Sequence, residues 1–149
     1  MNRPKVGFTG TRFGMTCNQQ ELFGSLLASF NPVEFHHGDC IGSDDQAANI
    51  AHKLKVPVFK HPPLDTSLQA NNPFSTKTFP AKTHFARNRD IVDSTSILVA
   101  APYTMERQSF GGTWYTIDYA KKKQKTVFII WPDGKVTKFE EGWEYDYIT

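Results

Sequence analysis

The 149-residue sequence predicts an α/β fold: a three-layer sandwich around a mainly parallel sheet of about five strands in the order 3-2-1-4-5. Three observations lead there. Short apolar runs alternate with amphipathic stripes of helical period, which implies right-handed β-α-β crossovers. Two of those runs, Ile97 to Ala101 and Val127 to Trp131, are apolar throughout, as strands covered on both faces of a parallel sheet are. Glycine-bearing turns follow the strands and lead into helices.

Taken in order, Lys5 to Thr9 reads as the first strand, ending in the turn Gly10-Thr11-Arg12-Phe13-Gly14. Leu22, Leu26 and Phe30, beside Phe23 and Leu27, form the buried stripe of a helix that Pro32 ends. Val33 to His37 is a second strand closing in Gly38-Asp39-Cys40-Ile41-Gly42. Ser43 then caps a helix whose apolar side is Ala47, Ala48, Ile50, Ala51 and Leu54, with Asp44 and Asp45 matched to its positive end. Val56 to Lys60 is a third strand, and Pro57 near its start predicts an edge position. From Pro62 to Lys82 there is no sustained periodicity, an irregular connection of the length used for lids. A third helix covers Phe85 to Ser94, and a fourth runs from Gly111-Gly112-Thr113 to the lysines at 121–123. The tail from Lys135 to Thr149 adds one short strand; Trp143, Tyr145 and Tyr147 alternate and fit an edge strand or a partner subunit.

Composition bounds the function. The length suits one domain over residues 1–149, able to bury about 68–70% of its unfolded surface without disulfides or metal. Seventeen Lys and Arg against fifteen Asp and Glu leave a charge of +2, which argues against extended duplex binding but not against a small anion. Two cysteines, Cys17 and Cys40, and no signal-like apolar leader fit a cytoplasmic protein; the apolar runs are far too short to span a bilayer. Twelve phenylalanines exceed what a core alone explains.

In an open parallel sheet ligands bind beyond the carboxyl ends of the strands, where strand order reverses. Three turns converge there: Gly10 to Gly14, Gly38 to Asp44, and Pro102 to Thr113. Each offers backbone N–H groups near a helix start, an arrangement suited to phosphate. Gly10, Thr11 and Arg12 supply amides, a hydroxyl and a guanidinium, or simply a strand-to-helix turn. Gly111 and Gly112 admit a close backbone approach, with Thr113 a cap or a phosphate ligand. Asp39 follows the second strand, where a carboxylate receives ribose hydroxyls in nucleotide-binding folds. Asp44 is either a first-turn charge or a ligand contact. Arg87 and Asn88 open the third helix, where a cation opposes the helix dipole unless an anion meets it. His36 and His37 point to opposite faces, and no paired Cys-x-x-Cys or His-Glu-x-x-His pattern occurs, so neither a metal nor another cofactor is expected.

Together Phe8-Thr9-Gly10-Thr11-Arg12, His37-Gly38-Asp39 with Gly42-Ser43-Asp44, Arg87-Asn88 and Gly111-Gly112-Thr113 resemble the SLOG superfamily of Rossmann-like proteins, from Val6 to Pro132. That superfamily includes the LONELY GUY phosphoribohydrolases, molybdenum-cofactor carrier proteins and DNA-processing protein A; the sequence is most similar to its small uncharacterised bacterial and phage members. The resemblance implies that Gly111-Gly112-Thr113 bind a nucleotide phosphate, that Arg87 lies beside the ligand together with Gly38, Ser43 and Asn88, and that Gly10 to Arg12 line the opposite side. It also implies a glutamate after the Gly-Thr pair and two further residues, but that position is Thr116, and Asp118 lies about 200° round the helix from it.

The expected function is therefore binding of a nucleotide or ADP-ribose-like ligand, as a sensor or sequestering module. A second is N-glycoside hydrolysis of a nucleoside monophosphate with Asp39, Asp44 or Glu106 replacing the absent glutamate. A third is binding of single-stranded nucleic acid or protein through Phe74, Phe79 and Phe85 with Lys77 and Lys82, unless those rings fold back over the pocket. Apolar outer helix faces fit a homo-oligomer.

Overall fold

The computed structural model describes residues 3–109 and 111–148. Met1, Asn2, Phe110 and Thr149 lie outside the described residues. The elements run β1 (Lys5–Gly10), α1 (Cys17–Phe30), β2 (Glu34–His37), α2 (Ser43–Lys53), β3 (Val58–Lys60), a 3₁₀ turn (Thr66–Leu68), β4 (Lys77–Thr78), α3 (His84–Asp93), β5 (Ile97–Ala101), α4 (Gly112–Lys122), β6 (Thr126–Ile130), β7 (Val136–Glu140) and β8 (Trp143–Tyr147). They form a three-layer α/β sandwich around one sheet of order β4-β3-β2-β1-β5-β6-β7-β8.

The expectation of about five strands in the order 3-2-1-4-5 is corrected to eight strands with a mixed end. β4 to β6 pair in parallel, whereas β7 and β8 join antiparallel. The tail forms two strands because Glu141 and Gly142, at φ 53° and 85°, make the two-residue turn whose twist matches a hairpin. β3 is not an edge: the two residues of β4 continue the ladder, Phe59 opposite Lys77. Pro57 lies just before β3, where its carbonyl accepts from Phe35 N at 2.9 Å, so its missing N–H costs the ladder nothing.

Each sheet face has its own core. Phe8, Phe23 and Phe35 pack edge to face or tilted on the α1/α2 side, at centroid separations of 5.2–6.2 Å. Leu98, Ala100, Trp114, Ile117 and Ile129 fill the α3/α4 side. Gly7 lets α3 approach β1, since a Cβ there would sit 2.9 Å from the Ile91 side chain.

α1 starts with a capping box: Thr16 Oγ1 accepts from Gln19 N at 3.1 Å and Gln19 Oε1 from Thr16 N at 2.9 Å. The buried Gln19 amide also donates to Pro102 O and Ile130 O, both at 2.9 Å, and so fastens α1 to the chain leaving β5 and β6.

The long connection is anchored rather than free. Asn72 is buried and receives its contacts from three directions: its N–H reaches Asp39 Oδ1 at 3.0 Å, its carbonyl accepts from Lys60 Nζ at 2.5 Å, and its side-chain amide donates to Asp45 and Asn49. Phe74 stacks on His52 and Phe79 on His61, centroids 3.6 and 4.3 Å apart, so both rings fold back onto the domain, away from the carboxyl-end cavity.

Phe23 touches both other rings of its cluster and has no exposed surface. Phe23→Ala is expected to lower unfolding free energy by about 3–5 kcal/mol in urea titration with an unchanged slope. A loss below about 1 kcal/mol would show that this cluster does not hold α1 on the sheet.

Candidate ligand-binding site

β1 lies between β2 and β5, and the chain leaves β1 and β5 towards opposite faces of the sheet. Beyond their carboxyl ends is a cavity of about 650 Å³, within the range of small-molecule sites. It is lined by Gly10, Thr11, Arg12, Gly38, Asp44, Arg87, Asn88, Gly111, Gly112 and Thr113 of the expected residues. Ser43, Asp39 and Glu106 do not line it.

Ser43 supports the site from behind. It is the first residue of α2, not its cap; Gly42 holds that place. Ser43 N and Oγ both donate to Thr11 O, at 3.1 and 2.6 Å, while Thr11 N donates to Ala101 O at 3.1 Å. The first turn is thus clamped between α2 and the end of β5. The clamp demands glycine at 42, where φ is 84° and a Cβ would run into the Arg12 carbonyl. It also demands glycine at 10, where a Cβ would stand 2.6 Å from that of Ser43. The Thr11 hydroxyl accepts from Phe13 N at 3.2 Å. Arg12 is exposed, lying over the Phe13 ring, which packs against Tyr103 at 4.9 Å.

On the other side Gly111, φ 103°, is the N-cap of α4, and among the described residues no side chain caps the helix. The first N–H groups of a helix have no acceptor within it, so those of Gly112 and Thr113 are free to meet an anion, aided by the helix dipole. Among the described residues, a Cβ on Gly111 would meet nothing within 4 Å, and one on Gly112 only Asn88 Nδ2 at 3.8 Å.

Arg87 forms the floor. Although 96% buried by its 4% exposure, it satisfies every donor internally. Nε donates to Asn88 Oδ1 at 2.6 Å, Nη1 to the carbonyls of Gly38 and, at 3.2 Å, His61, and Nη2 to His84 Nδ1 at 3.1 Å and Cys40 Sγ at 3.6 Å. Gly38 is required beneath it, since a Cβ would lie 2.5 Å from Nη1. The mismatch with the α3 dipole is therefore answered by protein carbonyls.

Asp44 Oδ2 accepts from Gly38 N and Cys40 N, each at 3.2 Å. Burial pushes its carboxyl up to about 6, while Arg87 and these two amides pull the other way. Burial likewise raises the Cys40 thiol. Asp39, φ 55°, turns away from the cavity: its carboxylate accepts from Asn72 N and Gln69 Nε2 at 3.0 and 3.1 Å and pairs with Lys60 at 3.6 Å. Glu106 is exposed, and its carbonyl accepts from Thr104 Oγ1 at 2.9 Å. Thr116 is buried and donates to Gly112 O at 2.7 Å, while Asp118 pairs with Arg107 at 2.6 Å.

His36 joins His61 and Glu34, both at 2.7 Å. His37 accepts from Asp39 N through Nδ1 at 3.0 Å, leaving its buried Nε2 without a partner among the described residues. Burial depresses His37 to about 4 and His61 to about 3, so both rings are neutral. Among the described residues no group of three His, Cys, Asp or Glu is placed to hold a metal ion.

Sequence reasoning missed Phe13, Tyr103, His84 and Gln108 as lining residues. Phe13 and Tyr103 carried a signal, being aromatic residues beside glycine or proline in otherwise polar turns.

Because its folded pKa is raised, Asp44 stabilises the fold least when ionised. The stability of the wild type relative to Asp44→Asn should fall as pH rises from about 4 through about 6, measured by chemical denaturation. A difference flat across that window would mean an ordinary carboxylate.

No protein-family model and no curated protein matches the sequence. Among solved structures, the molybdenum cofactor binding protein of Rippkaea orientalis superposes with a TM-score of 0.67 at 20% identity, covering 88% of this chain and 78% of that one. The molybdenum cofactor carrier protein of Chlamydomonas reinhardtii gives 0.60 at 18%, covering 86% and 76%. DNA processing protein A of Helicobacter pylori gives 0.60 at 20%, covering 86% and 65%. With these likenesses added to its strand order and carboxyl-end cavity, the chain shares the three-layer α/β fold of these molybdenum cofactor carrier proteins and of DNA processing protein A.

Proposed function

We propose that the chain binds a nucleotide or ADP-ribose-like phosphorylated ligand in the cavity beyond β1 and β5, as a sensor or sequestering module. The observation that carries this reading is the start of α4, where, among the described residues, no side chain caps the helix and two glycines open without obstruction into a cavity of about 650 Å³. Phosphate sits on the Gly112 and Thr113 amides, where helix polarity and free donors coincide. Arg12 supplies mobile positive charge from the facing turn. Arg87 shapes the floor without contacting phosphate, because its donors are already engaged. The Phe13–Tyr103 pair and Phe85 offer flat apolar surface for a base. The similar structures support a ligand-binding reading: one is a molybdenum cofactor binding protein, and another, DNA processing protein A, binds single-stranded DNA.

N-glycoside hydrolysis is the second reading, and one observation favours it. Of the three carboxylates considered, Asp44 alone lines the cavity, and its raised pKa suits proton transfer near neutrality. Single-stranded nucleic acid is the weaker reading, since Phe74 and Phe79 are occupied by His52 and His61. In that reading Phe85, 52% exposed although it packs against Tyr115 at 4.3 Å, is the one ring of the three that lines the cavity.

Calorimetry against AMP, NAD, ADP-ribose and cyclic nucleotides tests the proposal, with at least one expected to bind below millimolar concentration. Gly112→Val puts a branched side chain where the phosphate approaches while meeting little of the protein. It is expected to keep the melting temperature within a few degrees and to weaken binding about tenfold or more. Unaltered affinity in that variant would remove the phosphate from α4.

A further inference from the structure

We propose that Asp44 reads the sugar of the ligand, accepting hydrogen bonds from the cis-diol of an unmodified ribose, so that the site selects ribonucleotides over deoxyribonucleotides. This rests on the nucleotide reading of the cavity and extends it from phosphate to sugar.

The two oxygens of Asp44 are not equivalent. Oδ2 is fixed by the Gly38 and Cys40 amides at 3.2 Å each. Oδ1 has no partner among the described residues, yet it is not one of their sealed, partnerless polar atoms, and Asp44 lines the cavity. A side chain only 6% exposed therefore presents one open acceptor, and that opening leads into the cavity. The first oxygen sets the orientation of the second, as a binding group requires.

The neighbourhood selects the kind of donor. Arg87 lies close enough to pull the Asp44 pKa down, and it brings a permanent positive charge. An ammonium group from a ligand would be repelled there, whereas a neutral hydroxyl would not. An unpartnered carboxylate oxygen out of bulk water gains much from such a donor, a charge-assisted hydrogen bond.

Placement agrees with a nucleoside 5′-phosphate. Arg87 and Asn88 are consecutive on α3: Arg87 borders the Asp44 side, and Asn88 accepts from Arg87 Nε while standing 3.8 Å from the Cβ position of Gly112. Asp44 and the α4 amides are thus separated by these two side chains, at opposite sides of one floor. The 5′-phosphate and the 2′,3′-diol likewise leave opposite sides of a furanose. Asp39, the carboxylate that its position after β2 pointed to, is engaged by Asn72, Gln69 and Lys60 instead.

Calorimetry with AMP and 2′-deoxy-AMP tests the assignment. AMP is expected to bind at least about tenfold more tightly to the wild type at pH 7.5. That ratio should shrink towards one in Asp44→Asn, which keeps an oxygen for the two amides. A second measurement needs no variant: the wild-type ratio should also shrink at pH 5, where the carboxyl carries a proton. Equal affinity of the two compounds for the wild type overturns the role of Asp44 and leaves the nucleotide site standing. Binding of neither overturns the assignment, and with NAD, ADP-ribose and cyclic nucleotides also failing it overturns the nucleotide reading as well.

Discussion

Arg87 is the interaction on which the site depends. A guanidinium removed from water costs several kcal/mol unless its donors are met, and here they are met by Gly38, His61, His84, Asn88 and Cys40. Those partners come from the ends of β2 and β3, from the turn before α2 and from α3. One side chain therefore ties α3 to the ends of β2 and β3 and to the turn before α2. It also supplies the charge that keeps Asp44 from being a wholly uncompensated buried acid. The requirement for glycine at 38 follows from the same packing.

Around this fixed floor the walls are built differently. The first turn is held by backbone bonds from Ser43 and to Ala101, and α4 starts with its amides uncapped. Rigidity thus lies beneath the cavity and unsatisfied donors lie at its side, a division that suits recognition of an anion by preorganised amides. The long connection contributes to rigidity as well. Asp39 and Lys60 hold Asn72, so this segment acts as a buttress of β2 and β3, where an irregular sequence alone suggested a lid.

Much of the central architecture was legible because periodicity carries it. The apolar runs at 97–101 and 127–131 became β5 and β6, and the stripe through Leu22, Leu26 and Phe30 became α1. What escaped had physical reasons. β4 is two residues long, too short for any alternation, and exists because β3 offers an open edge. The hairpin of β7 and β8 did carry a signal in Glu141-Gly142 between alternating runs. The converging turns were readable from their glycines and charges, but which carboxylate faces the cavity was not. Asp39 and Asp44 sit five residues apart in one segment. Only the left-handed backbone at Asp39, together with the claim of Asn72 and Gln69 on its oxygens, turns it away. Arg87 was singled out correctly as unusual for a helix start, yet the groups that meet it come from segments distant in sequence.

The central claim, that the amides at the start of α4 hold a phosphate opposite the Gly10 to Phe13 turn, is tested most directly by following backbone ¹⁵N–¹H resonances during titration with AMP. The account predicts that the largest shifts fall on Gly112 and Thr113, with a second group at Thr11 to Phe13. Shifts confined to Lys77 to Phe79, or none at saturating nucleotide, would contradict it.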